Sequence, residues 1–550
     1  MDKKRILILI LIVSAVLRLY GLSRGDTVND EVFMSFRGIG MIDFDEAEFQ
    51  TTPWEWTDPS IPWWANISFH DHPLLVPAAE NLSMKIFGEN NFGFRLPSAI
   101  LGTASVYLIY LIGTILYTET AGLISAAFLG ITLNSVYISR TGMQEPYVIF
   151  FLLLASYLFI KSLQKDKYLL WTGAAVGFGT LAKYNSLILV PIFITYLLLF
   201  KRKYFLNKKF WLGVILALLI SSPIIIYNYE LYRNFGHLDF QFSYIFGEHP
   251  DVWKVAPGKE IGTLAERLGN FIPRLIASNS WLFLSLTALS LITLFLSIIK
   301  NLKENSKKHG FLIVCFLFLI LLILKIGPSY RFLTMLTPFF ALSMAIFIEN
   351  IYSNILQNVR IIKIAYSAFA LFISFEIFYS INNQIIYYPI GPTPWLSSKV
   401  RFENYNWGYN QLGDWLNQEL NEKMPAITFD LKYKFLEKLR DQALANGLQE
   451  DLETYPAIFI YDGNFDKAAK LWTLDRLHIY HGWPIISLKT YYDNLQKEGF
   501  DFYDRSGFKI RYFILQNNIV PSPASKALMR GNPISIYNPR GDEAFKIYKF

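Results

Sequence analysis

"GFRLPSAILGTASVYLIYLIGTIL", residues 93–116, carries a single charge, Arg95, near its head. The hydrocarbon of a bilayer is roughly 30 Å thick and takes about 20 apolar residues of helix to cross. This stretch meets that length, so it reads as a membrane span with Arg95 at its mouth. The whole chain agrees. Of its 550 residues, 53% are hydrophobic, 17% aromatic and only 17% charged. Soluble domains carry about 25% charged residues. Mean hydropathy is +0.29. The net charge of +7 comes from basic residues in short gaps between apolar runs. That is a topology signal and excludes a nucleic-acid footprint.

Working outward from 93–116, the same test finds eleven candidate spans: 5–22, 93–116, 121–139, 146–162, 168–182, 184–200, 210–229, 277–300, 310–326, 331–350 and 360–381. The pair at 168–182 and 184–200 is the weakest, because Gly173, Gly177, Gly179 and Lys183 interrupt it. The N-terminal run begins with basic residues, and no small-residue cleavage site follows it. It reads as a retained span with a cytoplasmic start, Arg18 and Tyr20 serving as interface anchors.

Strong basic gaps lie at Lys3–Arg5, Lys161–Lys167, 201–209, 300–308 and Arg360–Lys363. Eleven spans threaded from a cytoplasmic N-terminus place all five on one side, as the positive-inside rule requires. The opposite, outer side then holds the loop 23–92, the turns at 140–145, near Lys183 and at 325–331, the loop 230–276 and everything beyond about 382. Asp30, Glu31, Arg95, Arg140, Glu145, Lys183 and Arg331 all fall there. Each alone is equally consistent with an ordinary polar helix end.

The two outer loops differ from linkers. "TTPWEWTDPSIPWW" (51–64) is rich in Trp and Pro, a headgroup-layer composition, and 72–88 has the pattern of an interfacial amphipathic helix. The aromatic loop 230–276 reads as a lid or as a headgroup contact. From about 390 the long apolar runs stop. Helical patterns at 411–422, 431–446 and 491–498 alternate with strand-like runs at 457–462 and 511–517, which predicts an extracytoplasmic α/β domain over 390–550 behind a membrane domain over 1–385. The only cysteine, Cys315, sits in an apolar run and reads as packing.

Asp30 and Glu31 are adjacent, and sequence neighbours do not share a helix face. They read either as the first-turn acids of a helix or as a site carboxylate with its support, and both can hold at once. "FHDHP" (69–73) offers His70 and His72, which suit hydrogen bonding to a polar substrate; as metal ligands they lack a third partner. Arg140 and Glu145 share one short turn. Cations gathered near carboxylates at a membrane surface suit an anionic headgroup, and Arg suits phosphate. No Walker A or Rossmann fingerprint is present, and the glycines of "GFGTLAK" lie in a hydrophobic pattern that reads as helix packing.

The ordered elements "HP-L", "FGFRLPSAILG", "SRTGMQEPYVIFFLLLASY" and "WTGAAVGFGTLAKYNSLILVP", after an acidic first loop, resemble the polyprenyl-phosphate-sugar-dependent GT-C glycosyltransferases of the protein O-mannosyltransferase and aminoarabinose-transferase type (family 39). The resemblance covers about residues 5–200, with a weaker echo at 327–338, and not the tail. It implies a multi-spanning plasma-membrane enzyme that moves a sugar, with inversion, from a polyprenyl-phosphate carrier to a hydroxyl of a protein or glycolipid acceptor at the outer face. It implies Asp30 as general base with Glu31 beside it. Glu145 stands where the family has Asp. Arg95, Arg140, Lys183 and Arg331 become neighbours of the donor phosphate, and His70 and His72 line the pocket. No cofactor follows from it, and a divalent cation requirement stays open. The rivals are a secondary transporter, which would carry ionisable groups at mid-membrane, and a non-catalytic scaffold presenting the tail.

Overall fold

The computed structural model describes residues 2–27, 30–40, 62–252, 262–300, 302–355, 359–402, 406–431 and 434–550. Most of the Trp-rich stretch 51–64 lies outside them. By contacts the chain divides into two units. Described residues 2–23 and 63–402 form the first; 24–40, 62 and 406–550 form the second. The short segment after the first span thus packs with the tail of the chain.

In chain order the helices are α1 (Lys3–Leu19), α2 (Asp30–Gly40), α3 (Leu75–Phe87), α4 (Asn91–Leu116), α5 (Glu119–Ile131), α6 (Leu133–Ser139), α7 (Glu145–Ser162), α8 (Tyr168–Ala182), α9 (Leu189–Phe200), α10 (Lys208–Ile220), α11 (Ser222–Phe235), α12 (Phe240–Phe246), α13 (Leu264–Ser278), α14 (Trp281–Lys300), α15 (Leu302–Ile326), α16 (Tyr330–Leu333), α17 (Thr337–Ile355) and α18 (Val359–Gln384). All eleven apolar stretches are helical. Among the described residues six helices are long and apolar enough to cross a bilayer, and eight if each of two bent pairs counts as one span; 168–182 and 184–200 are apolar but shorter. Length and composition do not confirm the count of eleven.

The bends have local causes. α5 and α6 meet at 62°, across an extended Thr132. α10 and α11 meet at 57°, where Pro223 opens the second helix. A bend frees carbonyls that lipid cannot satisfy. At α5–α6 those of Leu129 and Gly130 accept from the guanidinium of Arg18, which also donates to Ser14 and Ser135. Arg18 is therefore fully buried, not the interface anchor the sequence suggested. The helix-packing reading of "GFGTLAK" holds at Gly177, where a Cβ would stand 2.8 Å from Ile220 Cβ on α10. Gly173, one turn earlier on α8, lies closer still. A Cβ there would stand 1.9 Å from the carbonyl oxygen of Gly213 on α10, so only glycine permits that crossing.

Buried helix ends are closed by side chains. Ser280 caps α14, accepting from Phe283 N at 3.0 Å and donating to the buried carboxyl of Glu376 on α18. Asn382, Asn383 and Gln384 at the end of α18 hold the following segment through Ile390, Leu396, Ser398 and Val400.

The second unit is built on a five-stranded sheet. Besides α2, its helices include α19 (Tyr409–Leu420), α20 (Lys434–Gln449), α21 (Lys467–Lys470), α22 (Arg476–His481) and α23 (Leu488–Glu498). Strands β1 (Lys423–Pro425) and β2 (Glu453–Tyr455) pair separately. The main sheet has the order β4 (Ile485–Ser487), β3 (Ala457–Tyr461), β5 (Ile510–Gln516), β7 (Glu543–Lys549), β6 (Ile534–Tyr537). β3 runs parallel to both neighbours; β7 is antiparallel to β5 and β6. Alternate residues of β3 serve two cores: Ala457 and Phe459 pack with Tyr512, Ile514 and Phe545, whereas Ile458 and Ile460 pack with Phe513, Tyr491 and Leu495. Burial on both faces explains why this strand reads as an unbroken apolar run.

Candidate active site

Three helix ends converge within the helical unit. Glu145 opens α7, where the helix N-terminus favours an anion. Lys183 follows the last turn of α8, where a cation is favoured, and its extended backbone carries the chain into the 3-10 turn Tyr184–Ile188. Arg331 lies in α16, whose first turn is capped by Ser329. Lys183 Nζ donates to Glu145 Oε1 at 2.8 Å, and Arg331 Nε stands 3.9 Å from the same oxygen. Both cations lie over the ring of Phe332, at 5.1 and 4.8 Å. The Glu145 side chain is 2% exposed and that of Arg331 26%. The Lys183 hydrogen bond and the longer Arg331 ion pair, both on one buried oxygen, hold the three side chains in a fixed arrangement.

The other two candidate phosphate ligands are placed differently. Arg140 donates to the carbonyls of Leu17, Arg18, Tyr20 and Gly21, closing the C-terminal end of α1. The last carbonyls of a helix have no partner within it, and a five-donor guanidinium meets several at once. Arg95 is buried and donates to the carbonyl of Leu22 at 3.2 Å. Both arginines fasten the chain where it leaves the first helix.

His72 pairs with Asp71 at 2.9 Å. His70 is buried, and its carbonyl accepts from Phe240 N at 2.8 Å. That contact joins the 69–73 loop to a carboxylate that sequence reasoning passed over, Asp239. Asp239 is fully buried and accepts from Tyr184 OH at 2.6 Å, Asn228 Nδ2 at 2.9 Å and Phe242 N at 2.8 Å. Burial pushes its carboxyl up to about 6, against these hydrogen bonds and the nearby His70. The sequence signal was an Asp before a short aromatic helix, which marks an N-cap but not burial. Through Tyr184 this carboxyl holds the residue next to Lys183. Among the described residues no three His, Cys, Asp or Glu side chains gather closely enough to hold a metal.

Asp30 and Glu31 belong to the other unit. They form the first turn of α2, Asp30 half-buried and Glu31 buried. Adjacent residues on a helix point about 100° apart, so the two carboxyls face different neighbours.

Residues 71–227, the segment holding Glu145 and Lys183, match the dolichyl-phosphate-mannose-protein mannosyltransferase family. "Putative mannosyltransferase YkcB" of Bacillus subtilis (strain 168) is 30% identical over 248 residues, 42% of this chain and 32% of that protein. "Putative mannosyltransferase YycA" of the same organism is 26% identical over 206 residues, 36% of this chain and 27% of that one. The matched region thus spans about a third of these curated relatives. ArnT from Cupriavidus metallidurans, solved bound to undecaprenyl phosphate, superposes with TM-score 0.54 at 12% identity, covering 98% of this chain and 97% of that one. The archaeal oligosaccharyltransferase AglB from Archaeoglobus fulgidus, in complex with an inhibitory peptide and a dolichol-phosphate, gives 0.50 at 12% identity, covering 99% and 74%. At such identities the likeness is one of fold: the chain has the GT-C glycosyltransferase fold, with helical membrane and α/β parts.

Proposed function

We propose that this GT-C chain is an inverting glycosyltransferase that moves a single sugar from a polyprenyl-phosphate carrier to a hydroxyl acceptor at the outer membrane surface. The observation that carries the reading is the convergence of Lys183 and Arg331 on Glu145. A lipid-linked sugar phosphate stays in the bilayer, so its phosphate has to be met at a helix end. In this reading Lys183 and Arg331 take the phosphate oxygens, and Glu145 holds the two cations in place.

The chemistry follows from that charge placement. The acceptor oxygen attacks the anomeric carbon, the bond from that carbon to the phosphate oxygen breaks, and the electron pair leaves with the lipid phosphate. Cations already fixed at that phosphate stabilise the charge as it develops. The acceptor proton passes to a carboxylate. Asp30 is assigned that role from its place in the family pattern, with Glu31 as support. His70 and His72 are assigned to the sugar pocket. Arg95 and Arg140, occupied with backbone carbonyls, are assigned to fastening the site's surroundings. The similarity to mannosyltransferases makes mannose the first sugar to test.

The test is reconstitution of the full chain in vesicles with labelled polyprenyl-phosphate sugars, followed by mass spectrometry of protein and glycolipid acceptors. Transfer by the parent and its loss in Asp30→Asn is the expected result. A folded Asp30→Asn variant with parental transfer removes the base assignment, and no transfer across the donor panel removes the function.

A further inference from the structure

Asp26 lies four residues before Asp30, yet its partners are some 380 positions away. Its Oδ2 accepts from the backbone N–H of Trp407 at 2.5 Å and of Gly408 at 3.1 Å, and its Oδ1 from Asn410 at 2.7 Å. Asn410 Nδ2 returns a bond to the carbonyl of Gly25 at 3.1 Å. The Asn410 N–H belongs to the first turn of α19, and those of Trp407 and Gly408 lead into it. Its N-cap residue is Gly408, which has no side chain to accept them. Gly408 is needed as glycine: its φ is +107°, and a Cβ there would stand 2.5 Å from Ala544 Cβ. Asp26, 1% exposed, supplies the missing cap from the other end of the sequence.

A second attachment lies further along the same segment. Tyr480 OH, on α22, donates to the carbonyl of Phe36 at 2.7 Å, and the two rings lie 5.0 Å apart. Tyr480 is buried as well. Asp30 sits between these attachments, with Phe36 six residues on, or about 9 Å along the helix. The segment is held before its first turn and again two turns later. Both attachments come from the C-terminal α/β domain, and all the residues named belong to one unit.

We propose that the C-terminal domain is a positioning element for the candidate base: by gripping Asp26 and the Phe36 carbonyl it fixes α2, and with it the Asp30 carboxylate. The proposal rests on the reading of Asp30 as base. Proton acceptance requires a heavy-atom separation of about 3 Å, and a displacement of about 1 Å costs on the order of a hundredfold in rate. A carboxylate on an eleven-residue helix gains such precision from attachments at two points. Asp26, Tyr480 and Gly408 touch no reacting atom; they act through α2.

The test uses the full-length protein with Tyr480→Phe, which keeps the ring against Phe36, and Asp26→Ala, each made in the parent and in Asp30→Asn. Amide hydrogen exchange over residues 30–40 reports the grip without any need for transfer. The expected result is exchange faster by about fivefold in Tyr480→Phe, the worth of one hydrogen bond, and by more in Asp26→Ala. In the parent background kcat falls in both variants while KM for the donor stays unchanged. In the Asp30→Asn background neither substitution lowers the residual turnover further. Unchanged exchange at 30–40 in both variants overturns the grip whatever the protein transfers. Equal losses in the two backgrounds overturn the link to Asp30. Parental turnover by Asp30→Asn alone is the separate sign that the base reading has failed.

Discussion

Glu145 in the helical unit and Asp26 in the α/β unit are both carboxylates removed from water, and they are stabilised in opposite ways. Glu145 is met by Lys183 and Arg331, whose long side chains carry the charge on rotatable bonds. Asp26 is met by three backbone N–H groups, two leading into a helix and one in its first turn, which cannot turn away. Rotatable cations can pass from a carboxylate to an incoming anion and back, so the first arrangement suits binding. Fixed N–H donors hold one geometry only, so the second suits positioning. The same physical problem, an anion out of water, is solved once with adaptable partners and once with rigid ones.

The largest effect is expected where that comparison is most exposed. Lys183→Met should lower sugar transfer by about 10²–10³-fold, because it removes a charge that acts on the leaving group. Lys183→Arg should recover part of the loss. Equal transfer by Lys183→Met and the parent would reduce the Glu145 cluster to a structural ion pair. Next, Asp26→Ala should destabilise the protein by about 3 kcal/mol, read as a lowered unfolding midpoint, since several buried N–H groups lose their acceptor at once. A change within 0.5 kcal/mol, the usual range of a surface substitution, would deny Asp26 its capping role.

Asp239 offers a third solution, hydroxyl, amide and backbone donors with His70 nearby, and it predicts a pH dependence. Its carboxyl stands at about 6 in the folded protein against 3.8 ordinarily. The folded state then binds more protons than the unfolded state between about pH 4 and 6, so the contribution is full below that window and is lost as pH rises through it. The total is about 3 kcal/mol at most. Thermal unfolding from pH 4 to 7 should show this fall in the parent and its absence in Asp239→Asn. An identical pH profile for the two proteins would place the titration elsewhere. The smallest effect lies away from any charge: Gly173→Ala should cost about 2 kcal/mol by forcing α8 and α10 apart, and an unchanged unfolding midpoint would contradict that close crossing.

Much of the helical unit was legible because lipid imposes a simple rule. Long apolar runs become helices, and the polar residues between them, Glu145, Lys183 and Arg331 among them, are left at helix ends. Short-range pattern likewise placed 457–462 and 511–517 as strands. What was not legible depends on partners distant in sequence. Arg18 looked like an interface anchor because nothing in its neighbourhood announces the bend at Thr132, whose freed carbonyls draw it inside. Asp239 has no signal of its own within the aromatic loop 230–276, because its burial is made by Tyr184 and Asn228. The role of Asp26 is invisible without Gly408, whose lack of a side chain creates the need for it. The first loop also looked like part of the membrane domain, since no local pattern reveals that Tyr480 holds Phe36.

The central claim, that Lys183 and Arg331 around Glu145 receive the phosphate of a lipid carrier, is tested most directly by binding. The affinity of the reconstituted protein for a polyprenyl monophosphate is compared with that for the same polyprenol lacking phosphate, in the parent and in Lys183→Met. The account predicts at least about tenfold tighter binding of the phosphate form by the parent, consistent with one charge-assisted contact, and loss of that preference in the variant. Equal affinity of the parent for the two lipids, or an undiminished preference in Lys183→Met, would contradict it.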